Sequence, residues 1–291
     1  MKIPVWQTTM LPVITLVVIC YFALHNTSSI KANDNIQILE NCSNTNLSTH
    51  KLPGKLPCKN TSQKTIKSIT TTSSSLLSFI YQKRFLTIVS ENLQTLPQPE
   101  SLEYILLRSY GAAYINRQPG IKLPEKIIFA NEKETKEFQA TLNMGKVNGT
   151  HNCYLQKPAA DALNRARTQI KIPLMSRYGQ INCTRSFSTT LRLWRKYAND
   201  RTLEKIRQGK ETKILGIVAP PGSSQHLWGL AVDLRVTNQA QQKILNQNGW
   251  YRTVKNDTPH WTYIGHSPEE LALLGFKNKV IRGVNYWLTP L

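Results

Sequence analysis

The stretch SQHLWGLAVD, residues 224–233, sets a histidine and a carboxylate at a fixed interval ahead of an apolar, strand-like run. Gly229 lies between His226 and Asp233, where the chain can bend back and bring the two side chains together. A second stretch, DTPHWTYI at residues 257–264, adds Asp257 and His260 ahead of another strand-like run. The two stretches therefore predict one site built from two histidines and two carboxylates.

Two histidines and one carboxylate form a ligand set typical of catalytic zinc, which uses three protein ligands and leaves a fourth position open for water. His226, Asp233 and His260 supply that count, and Asp257 lies close enough in sequence to reach a zinc-bound water. Each residue also has a structural explanation, as a core or capping histidine, an arginine partner or the cap of a turn. Their combination in a chain with six histidines favours the metal site.

The first stretch resembles the SxHxxGxAxD signature of the VanY-type zinc D-alanyl-D-alanine carboxypeptidases, with every fixed position filled. The second resembles the family's Glu-x-x-His signature, except that Asp257 stands where glutamate is usual. The segment CTRS at residues 183–186 resembles the family's Tyr-Arg-Ser element. The resemblance extends over roughly residues 170 to 275, judged from these matches.

This resemblance implies an α+β fold of the Hedgehog/DD-peptidase type, with a small antiparallel sheet flanked by helices. It implies a Zn2+ cofactor bound by His226, Asp233 and His260. Asp257 would act as the general base, and Arg185 would bind the substrate carboxylate.

Recognition of a peptide's end calls for a residue that binds a free carboxylate, and a guanidinium can do so as a bidentate fork. Arg185 is the predicted residue, and Arg177, Arg192 and Arg195 are nearby alternatives. We expect Ser224 to bond substrate or a ligand rather than to act as a nucleophile, because no histidine-plus-acid relay surrounds it.

The implied activity is hydrolysis of the C-terminal residue of peptidoglycan stem peptides, or of other D-amino-acid peptides. An endopeptidase or D,D-dipeptidase on the same fold is one alternative. A zinc-containing wall-binding module without activity is another, suggested by the aspartate at position 257. A basic envelope adhesin with an accidental motif match is the last.

The balance of 37 Lys and Arg against 17 Asp and Glu, a formal charge of +20, indicates an anionic neighbour such as a cell-wall polymer. Nucleic acid is not expected, because the chain looks exported and lacks a zinc-finger or helix-turn-helix pattern. The sequence thus predicts the bacterial cell envelope, outside the cytoplasm, as the location of the protein.

Four regions are predicted along the chain. Residues 1–25 carry an apolar run that favours an uncleaved membrane anchor over a cleaved signal, because Ala23-Leu24-His25 is a poor cleavage site. Residues 26–75 are rich in Asn, Ser, Thr and Lys and are predicted as a flexible stalk. Residues 76–157 form a helical part, and residues 158–291 the catalytic domain.

Apolar periodicity and turn residues predict the regular elements of the exported part. Helices are expected near 76–94, 100–109, from 131, and at 158–170, 187–198 and 239–248, and strands at 126–130, 230–236 and 260–264. Of three possible pairings of the exported cysteines, Cys42 with Cys58 and Cys153 with Cys183 is the most local, and the sequence leaves the choice open.

Overall fold

The structure is a computed structural model that describes residues 63–176 and 179–291. The predicted anchor at 1–25, the first part of the predicted stalk, and Cys42 and Cys58 lie outside these residues. Within them, no helix combines the length and the apolar character that a bilayer span requires.

Helices of the described part occur at all six predicted positions, and three more, at 179–182, 200–207 and 268–273, were not predicted. They are α1 (Gln63–Ser90), α2 (Leu102–Tyr110), α3 (Glu132–Ala140), α4 (Lys157–Gln169), α5 (Gly179–Asn182), α6 (Phe187–Tyr197), α7 (Asp200–Arg207), α8 (Gln239–Gln247) and α9 (Pro268–Leu273). Side chains at Ser101, Asn131, Ser186 and Asn238 accept backbone amides at the first turns of α2, α3, α6 and α8. Helix α1 begins earlier than predicted, at Gln63, and overlaps the end of the predicted stalk.

Seven short strands form three small antiparallel sheets in the described part of the chain. They are β1 (Met144–Lys146), β2 (Tyr154–Gln156), β3 (Ala231–Asp233), β4 (Trp250–Tyr251), β5 (His260–Tyr263), β6 (Lys277–Ile281) and β7 (Val284–Leu288). β1 pairs with β2, β5 lies between β3 and β4, and β6 and β7 form a hairpin. The predicted α+β architecture with antiparallel pairing is confirmed, although three sheets replace the single one expected.

The strand predicted at 126–130 is wrong, because no neighbouring strand lies beside it in the described chain. Ile127 and Phe129 are buried, which explains the apolar pattern. The Phe129 amide instead donates to the carbonyl of Gly222 in a turn, 3.0 Å away. Gly222 has φ 85°, and a β-carbon there would lie 2.0 Å from the Phe129 oxygen, so only glycine allows this contact.

The core is centred on the three-stranded sheet, whose middle strand β5 is buried at all four positions. The largest fully buried side chains include Trp228, Trp250 and Trp261, with less than 2% of each exposed. Helix α4 packs on β1 and β2, and α8 packs on β4. This packing fixes β3 and β5 side by side, and both carry predicted site residues.

Candidate metal centre

His226 lies in a short 3-10 turn, Gln225–Trp228, directly before β3. The Ser224 hydroxyl accepts the His226 amide at 3.3 Å and caps the turn. Gly229 ends the turn in the left-handed conformation, with φ 66°, and a β-carbon there would lie 3.2 Å from the Gln156 amide nitrogen. The bend expected at Gly229 is therefore present, and it directs the His226 side chain back towards β3.

Asp233 and His260 are direct cross-strand partners in the register of β3 and β5. Opposed residues in an antiparallel pair have β-carbons about 4.5–5.5 Å apart on the same face of the sheet. The sheet therefore brings together two predicted ligands that are distant in sequence, and the 3-10 turn adds the third.

The donor atoms of His226, Asp233 and His260 lie within 4.8 Å of one another. Asp233 Oδ1 is 3.2 Å from His226 Nε2 and 3.8 Å from His260 Nδ1. Two donors each about 2.1 Å from a tetrahedral zinc ion would lie about 3.4 Å apart. The spacing therefore fits a single zinc ion.

The other ring nitrogens have partners that determine which atom faces the centre. His226 Nδ1 donates to the Cys183 carbonyl at 2.8 Å, since that oxygen can only accept. His260 Nε2 lies 3.1 Å from Gln225 Oε1, while Gln225 Nε2 donates to the Tyr110 carbonyl at 2.6 Å. Gln225 therefore presents its acceptor oxygen to His260.

With these tautomers, His226 Nε2 and His260 Nδ1 carry lone pairs, and both face an oxygen of Asp233. Three acceptors converging on one point repel each other unless a cation or a proton lies between them. Both histidines are buried, with no more than 4% of either exposed. Two buried, neutral imidazoles and one carboxylate form a donor set that fits zinc.

Electrostatics keep the three ligands in the protonation states that metal binding needs. Burial, then the neighbouring His226, lowers the pKa of His260 to about 3. Burial and the Arg185 charge also lower the pKa of His226. Burial alone would raise the pKa of Asp233, but its interactions with the His226 ring and the Arg185 guanidinium outweigh burial and lower that pKa.

Arg185 lies against this group. One of its guanidinium nitrogens is ion-paired with Asp233 Oδ2, and its Nε donates to the Ile181 carbonyl at 2.6 Å. Its backbone amide donates to the His226 carbonyl at 3.1 Å. The Arg185 side chain is 12% exposed, so it is held in place rather than free in solvent.

An open cavity of about 600 Å³ lies beside Arg185 and is also lined by Arg192, Thr189 and His151. Of the alternative arginines, Arg192 therefore faces the same space, and Arg195 does not line it. The third alternative, Arg177, lies outside the described residues. The cavity provides space for a ligand beside Arg185, which connects it to Asp233, although none of the three convergent donors lines it.

Asp257 lies in the turn before β5, where Asn256 has φ 70° and the Asp257 amide donates to the Val254 carbonyl at 3.2 Å. Burial and the charge of Asp233 raise the pKa of Asp257, while the His260 amide donates to its carboxylate. These interactions place Asp257 next to the three donors. A buried carboxylate with a raised pKa beside specific charged partners is typical of acid-base residues.

Sequence reasoning missed two residues that position the predicted ligands. Gln225 occupies a variable position of the signature, yet it contacts the ring of His260. Gln139 on α3 donates to the carbonyls of Arg185 and Leu227, at 2.8 and 2.9 Å. Neither had a signal in the sequence, because each acts through a contact with a distant segment.

Cys153 and Cys183 form a disulfide, one of the pairings that the sequence left open, and it closes a separation of 30 residues. Cys183 is also the residue whose carbonyl accepts from His226. The disulfide thus links the residue before β2 to the segment that carries Arg185.

Residues 152–268 match the family model of VanY, D-alanyl-D-alanine carboxypeptidase, which confirms the resemblance seen in the sequence. The matched segment contains all six predicted site residues: Arg185, Ser224, His226, Asp233, Asp257 and His260. No curated protein sequence matches the chain significantly.

Two solved structures are similar to parts of the chain. One is the vancomycin resistance D,D-dipeptidase VanXYg in complex with a D-Ala-D-Ala phosphinate analogue, at 16% identity and a TM-score of 0.34, over 47% of this chain and 62% of that one. This chain therefore spans less than two thirds of that protein's length. The other is a mutant vancomycin resistance D,D-pentapeptidase VanY in complex with Zn(II), at 18% identity and a TM-score of 0.31, over 44% and 81%.

Proposed function

We propose that this protein is a zinc peptidase that removes the C-terminal residue, D-alanine, from peptidoglycan stem peptides. The observation that carries the proposal is the convergence of three acceptor atoms, from His226, Asp233 and His260, inside the segment matched by the VanY model. The expected ligands would hold the ion through Nε2 of His226, Oδ1 of Asp233 and Nδ1 of His260.

Zinc, when bound, would act as a Lewis acid that polarises the scissile carbonyl and makes water more acidic. Asp257 would act first as a general base, taking a proton from the attacking water, and then as a general acid, delivering that proton to the leaving amine. Its raised pKa suits the uptake of a proton from water, which both roles require. The cleaved bond is the last peptide bond, and the two products are a shortened peptide and a free amino acid.

Substrate would enter through the cavity beside Arg185, with its terminal carboxylate directed at the guanidinium. Arg185 already binds one carboxylate, that of Asp233, so its orientation suits an oxygen ligand at this position. Ser224 is bonded to the His226 amide, which supports a role in holding the ligand turn, and its contact with substrate stays a prediction. We place this activity in the bacterial cell envelope, where stem peptides are found.

The decisive test is mass spectrometry of a stem pentapeptide ending in D-Ala-D-Ala, incubated with the zinc-loaded full chain. We expect the peptide to lose one terminal alanine. We expect chelation of the metal, or the substitution Asp257→Asn, to abolish this loss. The same peptide with an amidated C-terminus is the matched control, and it should be cleaved far more slowly.

Other outcomes identify the alternatives. Equal cleavage of free and amidated peptides, or cuts within the stem, would indicate an endopeptidase. Release of D-alanine from the free dipeptide D-Ala-D-Ala, but not from the pentapeptide, would indicate a dipeptidase. Stoichiometric zinc without turnover would indicate a wall-binding module, and a chain that binds no zinc would overturn the proposal altogether.

A further inference from the structure

A second cavity, of about 310 Å³, lies apart from the three metal donors and is lined by five cationic side chains. They are Arg108, Lys213, Lys255, Lys277 and Lys279. No aspartate or glutamate lines this cavity. We call these five residues and the space between them the basic cavity.

The five cations have no anionic partner within the described part of the chain. Ion pairs there involve other basic residues, such as Lys126 with Glu134 and Lys157 with Asp161. Two acidic residues lie two positions from one of these cations, Glu211 from Lys213 and Asp257 from Lys255, and neither forms an ion pair with it. Glu211 accepts the backbone amide of Lys213 at 2.7 Å instead of its ammonium group. Five like charges around one space repel each other, so an anion bound between them would be stabilised.

The cavity walls come from separate parts of the fold that are joined by hydrogen bonds. Lys277 and Lys279 lie two residues apart on β6 and so share a face of the β6–β7 hairpin. The Thr289 hydroxyl donates to the Arg108 carbonyl at 2.7 Å, which ties the end of the hairpin to α2. The Trp287 amide donates to the Arg252 carbonyl at 2.8 Å, which ties β7 to the segment after β4. The five charges are therefore brought together by tertiary structure.

The type of cation indicates the type of anion. Four of the five are lysines, whose ammonium groups are compact point charges without the planar fork that matches a carboxylate. Lysine is a common phosphate ligand in this mode. The cavity has the volume of roughly ten water molecules, enough for linked phosphate groups rather than one small ion.

We propose that the basic cavity binds a phosphate-bearing polyanion. Several linked phosphates would occupy the cavity, and the rest of a longer polymer would extend over the basic surface of a chain with formal charge +20. Thr253, Val254, Lys255 and Asn256, at the edge of the cavity, directly precede Asp257. A polymer bound here would hold the protein next to a polyanionic matrix with the proposed catalytic segment close by.

The test is isothermal titration calorimetry of sodium tripolyphosphate into the full chain, at low and at physiological salt, with and without EDTA. Saturable binding with one site per chain is expected, weaker at higher salt and unchanged by EDTA. The double variant Lys277→Gln/Lys279→Gln should weaken it about two- to thirty-fold, because two close charge pairs are lost.

The matched control is Lys136→Gln/Lys243→Gln, which lowers the net charge by the same amount at exposed positions outside the cavity. It should bind tripolyphosphate nearly as tightly as the unmodified protein. Equal weakening by both double variants would show attraction by net charge alone and overturn the proposal, as would no binding by the unmodified protein.

Three further probes define the ligand. Long-chain polyphosphate should bind at least as tightly as tripolyphosphate and show the same loss in the Lys277→Gln/Lys279→Gln variant. Orthophosphate should bind much more weakly, and equally tight binding would overturn the assignment of linked phosphates. Poly-L-glutamate of similar charge should bind more weakly, and equal affinity would overturn the assignment to phosphate. Because binding is read without peptide substrate, failure here is distinct from failure of the proposed peptidase activity.

Discussion

The guanidinium of Arg185 is ion-paired with Oδ2 of Asp233, so that Oδ1 alone faces the two histidines. The residue predicted to bind substrate thus also orients a predicted metal ligand. A positioned partner of this kind typically contributes 10- to 100-fold to metal affinity. Arg185 is therefore expected to affect both metal binding and substrate recognition, and experiments must separate the two.

Replacing Arg185 with alanine should lower kcat/KM for a free-carboxylate peptide by about 10- to 150-fold, because a charge-assisted hydrogen bond is lost. The rate for the amidated peptide should change much less. Both rates are measured at saturating zinc, so that weaker metal binding does not contribute. Arg192→Ala, in the same cavity, is the control, and a larger effect there than at position 185 would contradict the assignment.

Replacing Gln225 with leucine should weaken zinc binding by about 10- to 100-fold, because His260 loses the acceptor that fixes its tautomer. Zinc affinity is measured by competition with a chromogenic chelator, and circular dichroism checks the fold. Gln242→Leu, a partly exposed residue on α8, is the matched control and should bind zinc normally. Unchanged affinity in the Gln225 variant would refute the positioning role.

Replacing Asp257 with asparagine should lower kcat by about 100- to 10,000-fold, the usual contribution of general acid-base catalysis. Zinc binding should be nearly unchanged, since Asp257 is not one of the three convergent donors. Asp257→Glu, which restores the residue usual in the resembling family, should keep activity within about tenfold. Loss of zinc from the asparagine variant would instead assign Asp257 to the metal.

The metal-free protein should lose stability as the pH falls below about 6.5. The pKa values of His226 and His260 are lower in the folded state than in the unfolded chain, mainly because both are buried. Between the two values the unfolded state binds more protons, so stability rises with pH and falls with acid. Urea unfolding in EDTA should show a loss of about 1 to 2 kcal/mol from His260 between pH 6.5 and pH 5. His226 adds to this loss, and Asp257 offsets part of it, because burial raises the pKa of Asp257 in the folded state.

A variant with His260→Gln tests the source of this pH dependence. It removes one of the two groups, so its stability should change less over the same range. The exposed His151→Gln variant is the control and should follow the unmodified protein. An unchanged slope in the His260 variant would mean that other groups titrate.

Removing the disulfide with Cys153→Ser/Cys183→Ser should lower the free energy of unfolding by about 2 to 4 kcal/mol, because the unfolded chain is no longer cross-linked. Zinc affinity should fall as well, since the Cys183 carbonyl orients His226. Urea unfolding and chelator competition provide the two measurements. A stability loss without any change in zinc affinity would separate the disulfide from the site.

The sequence alone predicted six of the nine helices in the described part of the chain, because their signals are local. It proposed His226, Asp233 and His260 as one ligand set through two separate motifs. Apolar spacing and capping side chains such as Asn131 and Ser186 act within one or two turns. His226 and Asp233 are seven residues apart, and the bend at Gly229 sufficed to relate them. The Cys153–Cys183 pairing belonged to the most local of the three possibilities, but the sequence left the choice open and the structure decided it.

Only the tertiary structure decided which distant groups meet. The segment at 126–130 has the pattern of a strand but no strand beside it, since pairing depends on what lies next to the backbone. The contacts of Gln225 with His260 and of Arg185 with Asp233 join residues 35 and 48 positions apart. The five charges of the basic cavity likewise come together through packing, because the neighbours of a charged side chain depend on the folded structure and not on its position in the sequence.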